Sequence, residues 1–360
     1  MKWILLTIGA ALLLLIGSTV LDALSGPDKR HVTPSDNLAA ARLNEDGRSG
    51  VVGAFHRLLE DAKKQEGATK LKGEDHNQIN FLFLGIGGEE HISGDYLTDT
   101  IILIIFIPST QKTAAISIPR DFLVRAPNKQ YFTRINALYA MQTDPPTSGF
   151  PGPMGVEYSK DAVKNVIGVP IDYYAVLDLQ GIEQIVDILG GINVRRFEDL
   201  EDKRFPDENY GYETYEIQEG WRYLNGEEAV KYIRTRHTSG GDFDRMKRQQ
   251  EVALAIKKKA EGLQTLQSLP KLLSLYKALQ DHFTTDLTFA QIMRLMQLGE
   301  EAKNDTIVFE RITGEAGGLL VSDTIVWGGR NAYILKPRAG TENYEEIRGK
   351  VKEIIENLKK

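Results

Sequence analysis

The sequence predicts a layered α/β domain, helices packed on a buried sheet, carried behind one N-terminal membrane-spanning helix. Three observations predict it. Residues 79–87, 100–107 and 113–118 are apolar on both faces of a strand, the pattern of a sheet covered on both sides. Segments of helical periodicity alternate with later strand-like runs. The chain opens on an uncharged apolar stretch, residues 3–21, that as a helix reaches about 28 Å, close to the hydrocarbon thickness of a bilayer.

Lys2 precedes that stretch and Asp22 ends it. The positive charge on its N-terminal side places the rest of the chain outside the membrane. Ala23, Leu24 and Ser25 loosely resemble a signal-peptidase site, but the apolar run is long for a signal peptide, which favours an uncleaved anchor. Residues 1–22 are therefore read as anchor and 23–78 as an extracytoplasmic spacer. Gly26-Pro27, Pro34 and Asp46-Gly47 punctuate the spacer, and residues 51–64 have helical spacing.

The strand at residues 79–87 ends in glycines, and Pro108 closes the Ile-rich second run, too short to cross a membrane. Residues 131–141 and 159–167 read as helices, the latter stopped by Gly168 and Pro170. Residues 173–179 read as a strand and 182–189 as a helix closed by Gly190-Gly191. A strand begins near residue 193. Helices are expected at 226–234, 244–263, 272–279 and 289–298, with Thr288 and Gln291 suited to a capping box. Short strands at 306–312, 324–327 and 332–335 precede a charged terminal helix.

Composition narrows the chemistry. The 360 residues carry a net charge of -6, so no global positive field recruits nucleic acid. There is no cysteine, which excludes disulfides and thiolate chemistry, and the six histidines show no HxxxH or HExxH spacing for zinc. Gly85-Ile86-Gly87-Gly88 lacks dinucleotide-fingerprint spacing and is followed by two glutamates. Neither a GxSxG elbow nor a phosphate-binding GxxxxGK[ST] loop occurs.

What stands out is the stretch from Tyr232 to Gln250. Arg234 and Arg236 alternate, Arg245 and Arg248 stand three apart, and glycines lie between the pairs. Guanidinium forks suit phosphate oxygens, so two such pairs brought together by a turn form an anion site. Asp242 and Asp244 sit between them, placed either to orient arginines or to hold a divalent cation. Asp99 stands at a strand mouth, where α/β proteins place ligands, as either a metal ligand or a base. Arg120 and Asp121 emerge at the end of the third strand, and Arg134 and Asn136 give a further polar spot. Taken singly, each of these groups also has an ordinary reading as a surface ion pair or a turn cap.

In order, these residues resemble the LytR–CpsA–Psr family of cell-wall glycopolymer ligases. The resemblance covers about residues 79–262: the FLFLGIG strand, Asp99-Thr100, Ser117-Ile118-Pro119-Arg120-Asp121, Ile135-Asn136-Ala137, Ile171-Asp172-Tyr173-Tyr174 with Asp178, Val186 to Ile192, Leu224-Asn225-Gly226, YIRTR, and Gly241-Asp242-Phe243 leading to Arg248-Gln249-Gln250. It implies an α-β-α domain with a central mixed sheet. It further implies an undecaprenyl-diphosphate-linked glycan as donor, its tail in an apolar pocket, and peptidoglycan as acceptor, with magnesium near the head group. By motif, Arg120, Arg234, Arg236 and Arg248 would hold the diphosphate with help from Arg245 and Gln249. Asp99 and Asp121 would hold magnesium. Asp242, Arg134 and Asn136 would support the site. Leu97 stands where the family usually has a basic residue, and Arg134 where a lysine is common. Residues 263–360 match poorly, so they either complete the domain or form a small appendage. A diphosphate hydrolase and a non-enzymatic lipid-binding regulator are the rival expectations.

Overall fold

A computed structural model describes residues 70–87, 96–127, 131–141, 153–207, 211–238, 240–260, 281–288, 307–314, 317–327 and 329–360, with residues 279, 291, 292, 294, 295 and 298. The expected anchor, the spacer helix and most of the expected 272–279 helix lie outside these residues. Among the described residues no helix is long and apolar enough to cross a membrane.

The core is a six-stranded mixed sheet. It contains β1 (Ile79–Ile86), β2 (Thr98–Ile107), β3 (Lys112–Ser117), β6 (Tyr173–Asp178), β11 (Phe283–Thr285) and β12 (Ile307–Arg311), in the order β11-β6-β1-β2-β3-β12. β1 runs parallel to β6 and β3 to β12, while β1–β2, β2–β3 and β6–β11 are antiparallel. The strands are apolar on both sides because each face carries its own core. Leu82, Leu84, Leu103 and Ile105 point to one face, where α1 (Pro153–Ile167) and α5 (Glu345–Lys359) pack. Phe81, Ile104, Phe106 and Tyr173 point to the other, against Leu279, Ile292 and Leu295. The period-two alternation of strand side chains explains this division. Residues after 263 thus supply two edge strands and a covering helix of the same sheet.

A smaller apolar cluster carries the arginine-rich segment. It joins α2 (Leu179–Leu189), the ribbon of β7 (Ile192–Arg196) with β10 (Gly220–Leu224), α3 (Gly226–Arg234) and α4 (Gly241–Ala260). Asp178 caps α2 by accepting from the Gly181 N–H, and Gly190 ends it at φ 78, as the Gly-Gly pair predicts. Asn225 and Glu228 form a reciprocal capping box on α3. The expected box at Thr288 and Gln291 is present as well.

One expectation is corrected and one element is added. Residues 131–141 are not a helix: β5 (Phe132–Arg134) pairs with β4 (Leu123–Arg125), and a single 3-10 turn, Ile135–Ala137, follows. Strand pairing and the tie of Arg134 to Tyr333 O hold the backbone extended there. The hairpin of β8 (Leu200–Pro206) and β9 (Tyr212–Ile217) has no counterpart in the sequence reading. Its residues are mostly exposed and charged, so they show little apolar alternation.

Candidate functional site

The cleft opens where β1 ends and β2 begins. Gly85, Ile86, Gly87, Asp99 and Thr100 form one wall; Leu179, Ile182, Pro206 and Ile233 add apolar surface; Arg234, Arg236, Arg245 and Gln249 complete it. It encloses about 710 Å³ of non-protein space, open solvent at its mouth included. Gly85 is required by crowding, since a Cβ there would lie 2.8 Å from Thr100 Cβ.

Arg234 is the last residue of α3. Thr235 then leaves the helix at ψ 131, its N–H and hydroxyl both donating to Lys231 O, so Arg236 follows on an extended link. Both arginines line the cleft. Arg234 lies over the Phe205 ring at 5.1 Å. Neither guanidinium makes an ion pair or hydrogen bond to any described residue. Burial, and then the charge of Arg236, push the Arg234 pKa down from its ordinary value.

Behind them lies a paired network. Arg120 donates to Asp99 Oδ1 at 2.6 Å and lies 3.4 Å from Asp242 Oδ1 and 3.7 Å from Asp121 Oδ2. Arg245, buried, donates to Asp99 O at 2.9 Å and lies 3.6 Å from Asp99 Oδ2. Arg134 reaches Asp121 Oδ1 at 3.2 Å. Asn136 contributes through its backbone, donating to Arg120 O and accepting from the Thr98 hydroxyl. The two carboxylates differ electrostatically. Burial is the strongest influence on Asp99 and works against its charge, but Arg245, Arg120 and Arg236 together hold its pKa below the usual carboxylate range. For Asp121 burial prevails over Arg120 and Arg134, and its pKa is pushed up. Among the described residues, cleft and network together hold five guanidiniums against three carboxylates, a local excess of positive charge in a chain of net charge -6.

Asp242 bears on a metal. Both its carboxylate oxygens are buried and accept no hydrogen bond from a described residue, although Arg245 Nη2 approaches Oδ1 to 2.7 Å, off the hydrogen-bond direction. No preformed group of three metal-ligating side chains occurs among the described residues. Hard, under-satisfied carboxylate oxygens beside Asp121 and Asp99 are nonetheless the donor type that magnesium takes.

Arg248 is placed elsewhere. Its buried guanidinium donates to Tyr232 O at 3.2 Å and to Thr235 O, holding the end of α3 rather than facing the cleft. It reaches a second, strongly polar pocket on the far side of the Thr235–Thr238 link, lined also by Arg196 and His237. One positioning residue has no trace in the sequence reading. Asp202, fully buried in the β8–β9 hairpin, accepts from the backbone N–H groups of Arg236 and His237 and pairs with His237 Nδ1 at 3.1 Å. It holds the link on which Arg236 projects. Only the capacity of a buried carboxylate to gather backbone N–H groups would have marked it, and the surrounding charged hairpin conceals that signal.

The chain is similar to known proteins in sequence and in fold. The sequence model of the LytR_cpsA_psr family matches residues 51–343. The polyisoprenyl-teichoic acid–peptidoglycan teichoic acid transferase TagU of Bacillus licheniformis is 27% identical over 263 residues, which are 73% of this chain and 76% of that protein. The structure of protein gbs0355 from Streptococcus agalactiae superposes with a TM-score of 0.59 at 25% identity, covering 80% of this chain and 90% of that one. TagV of B. subtilis shares the fold at a TM-score of 0.56 and 24% identity, covering 77% and 96%.

Proposed function

The chain belongs to the LytR–CpsA–Psr family, and on that premise we propose that it is a membrane-anchored phosphotransferase that moves a glycopolymer from undecaprenyl diphosphate to peptidoglycan. The observation that carries the reading is the pair of guanidiniums, Arg234 and Arg236, that meet no carboxylate among the described residues, in a cleft with apolar walls at Leu179, Ile182 and Ile233. A lipid diphosphate presents that combination, two phosphate charges joined to an apolar chain. The activity named for the Bacillus licheniformis relative supports the same substrate class.

In this reading Arg234 and Arg236 bind the diphosphate, with Gln249 as a neutral donor beside them and Arg245, paired with Asp99 and Asp242, supporting the cleft wall from behind. A hydroxyl of peptidoglycan attacks the phosphorus nearest the glycan, and undecaprenyl phosphate leaves. Donors already fixed in place stabilise the charge gathering on the transferring and leaving phosphates. Arg120 serves mainly by holding Asp99 and Asp242 in position. Asp121 is the better proton acceptor of the two shifted carboxylates, because its pKa is raised while that of Asp99 is held low. Asp242 and Asp99 would hold magnesium, which when bound neutralises phosphate charge, and Asp121 beside them would take the proton. Residues 1–22 would anchor the domain outside the membrane.

The test is transfer from a synthetic polyprenyl-diphosphate glycan to peptidoglycan oligomers, with and without magnesium. Acceptor-linked product that depends on magnesium and falls in Arg236→Ala is expected. Free phosphoglycan without linked product would replace transfer by hydrolysis. Tight lipid binding with neither product would leave a binding protein.

A further inference from the structure

The hairpin of β13 (Leu320–Trp327) and β14 (Arg330–Pro337) has no place in the mechanism above. Its base is fastened to the charged site. Leu335 N–H donates to Asp121 O, and Arg134 donates twice to Tyr333 O. Leu320, Ile334 and Leu335 are buried there. Beyond Tyr333 the ribbon leaves the body. The register runs unbroken to Trp327↔Arg330, and residues on both of its faces are exposed. At the far end Val326 is 74% exposed and Trp327 40% exposed.

Residues 324–334 contain one cation, Arg330, and no acidic residue, in a chain of net charge -6. Asp323, just below, is paired with Lys336. An aliphatic side chain, an indole and a guanidinium at the tip of a ribbon match the interfacial layer of a bilayer with anionic head groups. A sugar strand would want hydrogen bonds that Val326 does not offer.

The tether gives this surface a purpose. The described chain enters the sheet at the start of β1, and the cleft lies at the end of β1, about 25 Å away. Residues 22–69 span up to roughly 160 Å when extended, so an anchor at residues 3–21 does not by itself orient the cleft. We propose that the tip of the β13–β14 hairpin, Val326, Trp327 and Arg330, rests in the membrane surface and turns the cleft toward its lipid head group. This rests on the membrane-anchored reading. The distance from Tyr333 to the tip pair Trp327 and Arg330, three residues or about 10 Å of strand, sets the height of the site above that surface.

The chain has no cysteine, so single thiols report cleanly. Full-length Val326→Cys, labelled with an environment-sensitive fluorophore, is reconstituted in vesicles of phosphatidylethanolamine and phosphatidylglycerol. A Glu353→Cys label on the exposed side of α5 is the control. Several-fold stronger quenching by lipid-borne quenchers at Val326 than at Glu353 is expected. Equal, weak quenching at both sites overturns the proposal. So does a Val326 label that is shielded only by added peptidoglycan fragments, or only by raising protein concentration without lipid. In a second arm, Val326→Asp with Trp327→Ser keeps transfer from a short, water-soluble donor. It loses about tenfold or more with a long-chain donor in vesicles, the factor that one buried aliphatic side chain carries. Equal loss on both donors counts against the proposal. Quenching at Val326 with no transfer by the unaltered protein upholds the hairpin contact and falls on the transferase reading alone.

Discussion

The front and the back of the site are built from the same side chain and use it in opposite ways. At the front, Arg234 and Arg236 meet no carboxylate among the described residues. At the back, Arg120 and Arg245 are held against Asp99 and Asp242. A guanidinium buried with its counter-charge is part of the scaffold, since its removal strands a carboxylate. A guanidinium without one is an invitation to an anion. Arg248, with backbone carbonyls as its partners, has a third role, that of a helix cap. Partners decide what each arginine does.

The comparison is most sharply tested at the front. Arg236→Ala is expected to lower transfer by about a hundredfold to a thousandfold, the range for loss of one preorganised charge donor, while unfolding in urea shifts by less than about 1 kcal/mol. A matching loss of stability would erase the distinction between front and back. At the back the weight reverses. Arg245→Met leaves Asp99 and Asp242 to share Arg120 alone and is expected to cost about 3 kcal/mol of stability, with transfer lost alongside. Arg248→Met falls between them. It leaves Tyr232 O and Thr235 O short of a charged donor and is expected to cost about 2 kcal/mol, with transfer per folded molecule nearly unchanged. An Arg248→Met protein that is stable but inactive would return that residue to the cleft.

Much of this was legible in the sequence, and what escaped did so for physical reasons. β1, β2 and β3 are apolar on both faces, so the covered sheet was readable from those three strands alone. That Arg234 and Arg236 share one wall was readable because two cations two residues apart lie on the same side of an extended segment, and both do line the cleft. Arg245 and Arg248 were read together because residues three apart are neighbours on a helix. Three residues nonetheless turn the helix by 300°, and the 60° shortfall carries Arg248 past the cleft wall. Gln249, four residues from Arg245 and only about 40° away, stays in the cleft. Asp202 was not readable. Its function depends on a hairpin folding back onto residues more than thirty positions later, and nothing local encodes that contact.

The finest test of the comparison lies within the network itself, between Asp99 and Asp121. The Asp99 pKa is lowered in the folded protein, so its contribution to stability is complete above the ordinary aspartate value of about 3.9 and is lost as pH falls through the lowered one. Asp121 has a raised pKa, so the fold binds its proton more tightly than the unfolded chain does. Lowering the pH from neutral through that raised value therefore stabilises the native state through Asp121, until the unfolded chain is protonated too. Measured against Asp121→Asn, the unaltered protein should gain relative stability as pH falls toward about 4; measured against Asp99→Asn, it should lose relative stability below about 4. Urea midpoints across this range read both slopes. Slopes of the same sign would mean that the two carboxylates share one environment. Asp121 would then lose its claim to be the better proton acceptor, because that claim rests on its burial behind Arg120 prevailing over the charges that hold Asp99 low.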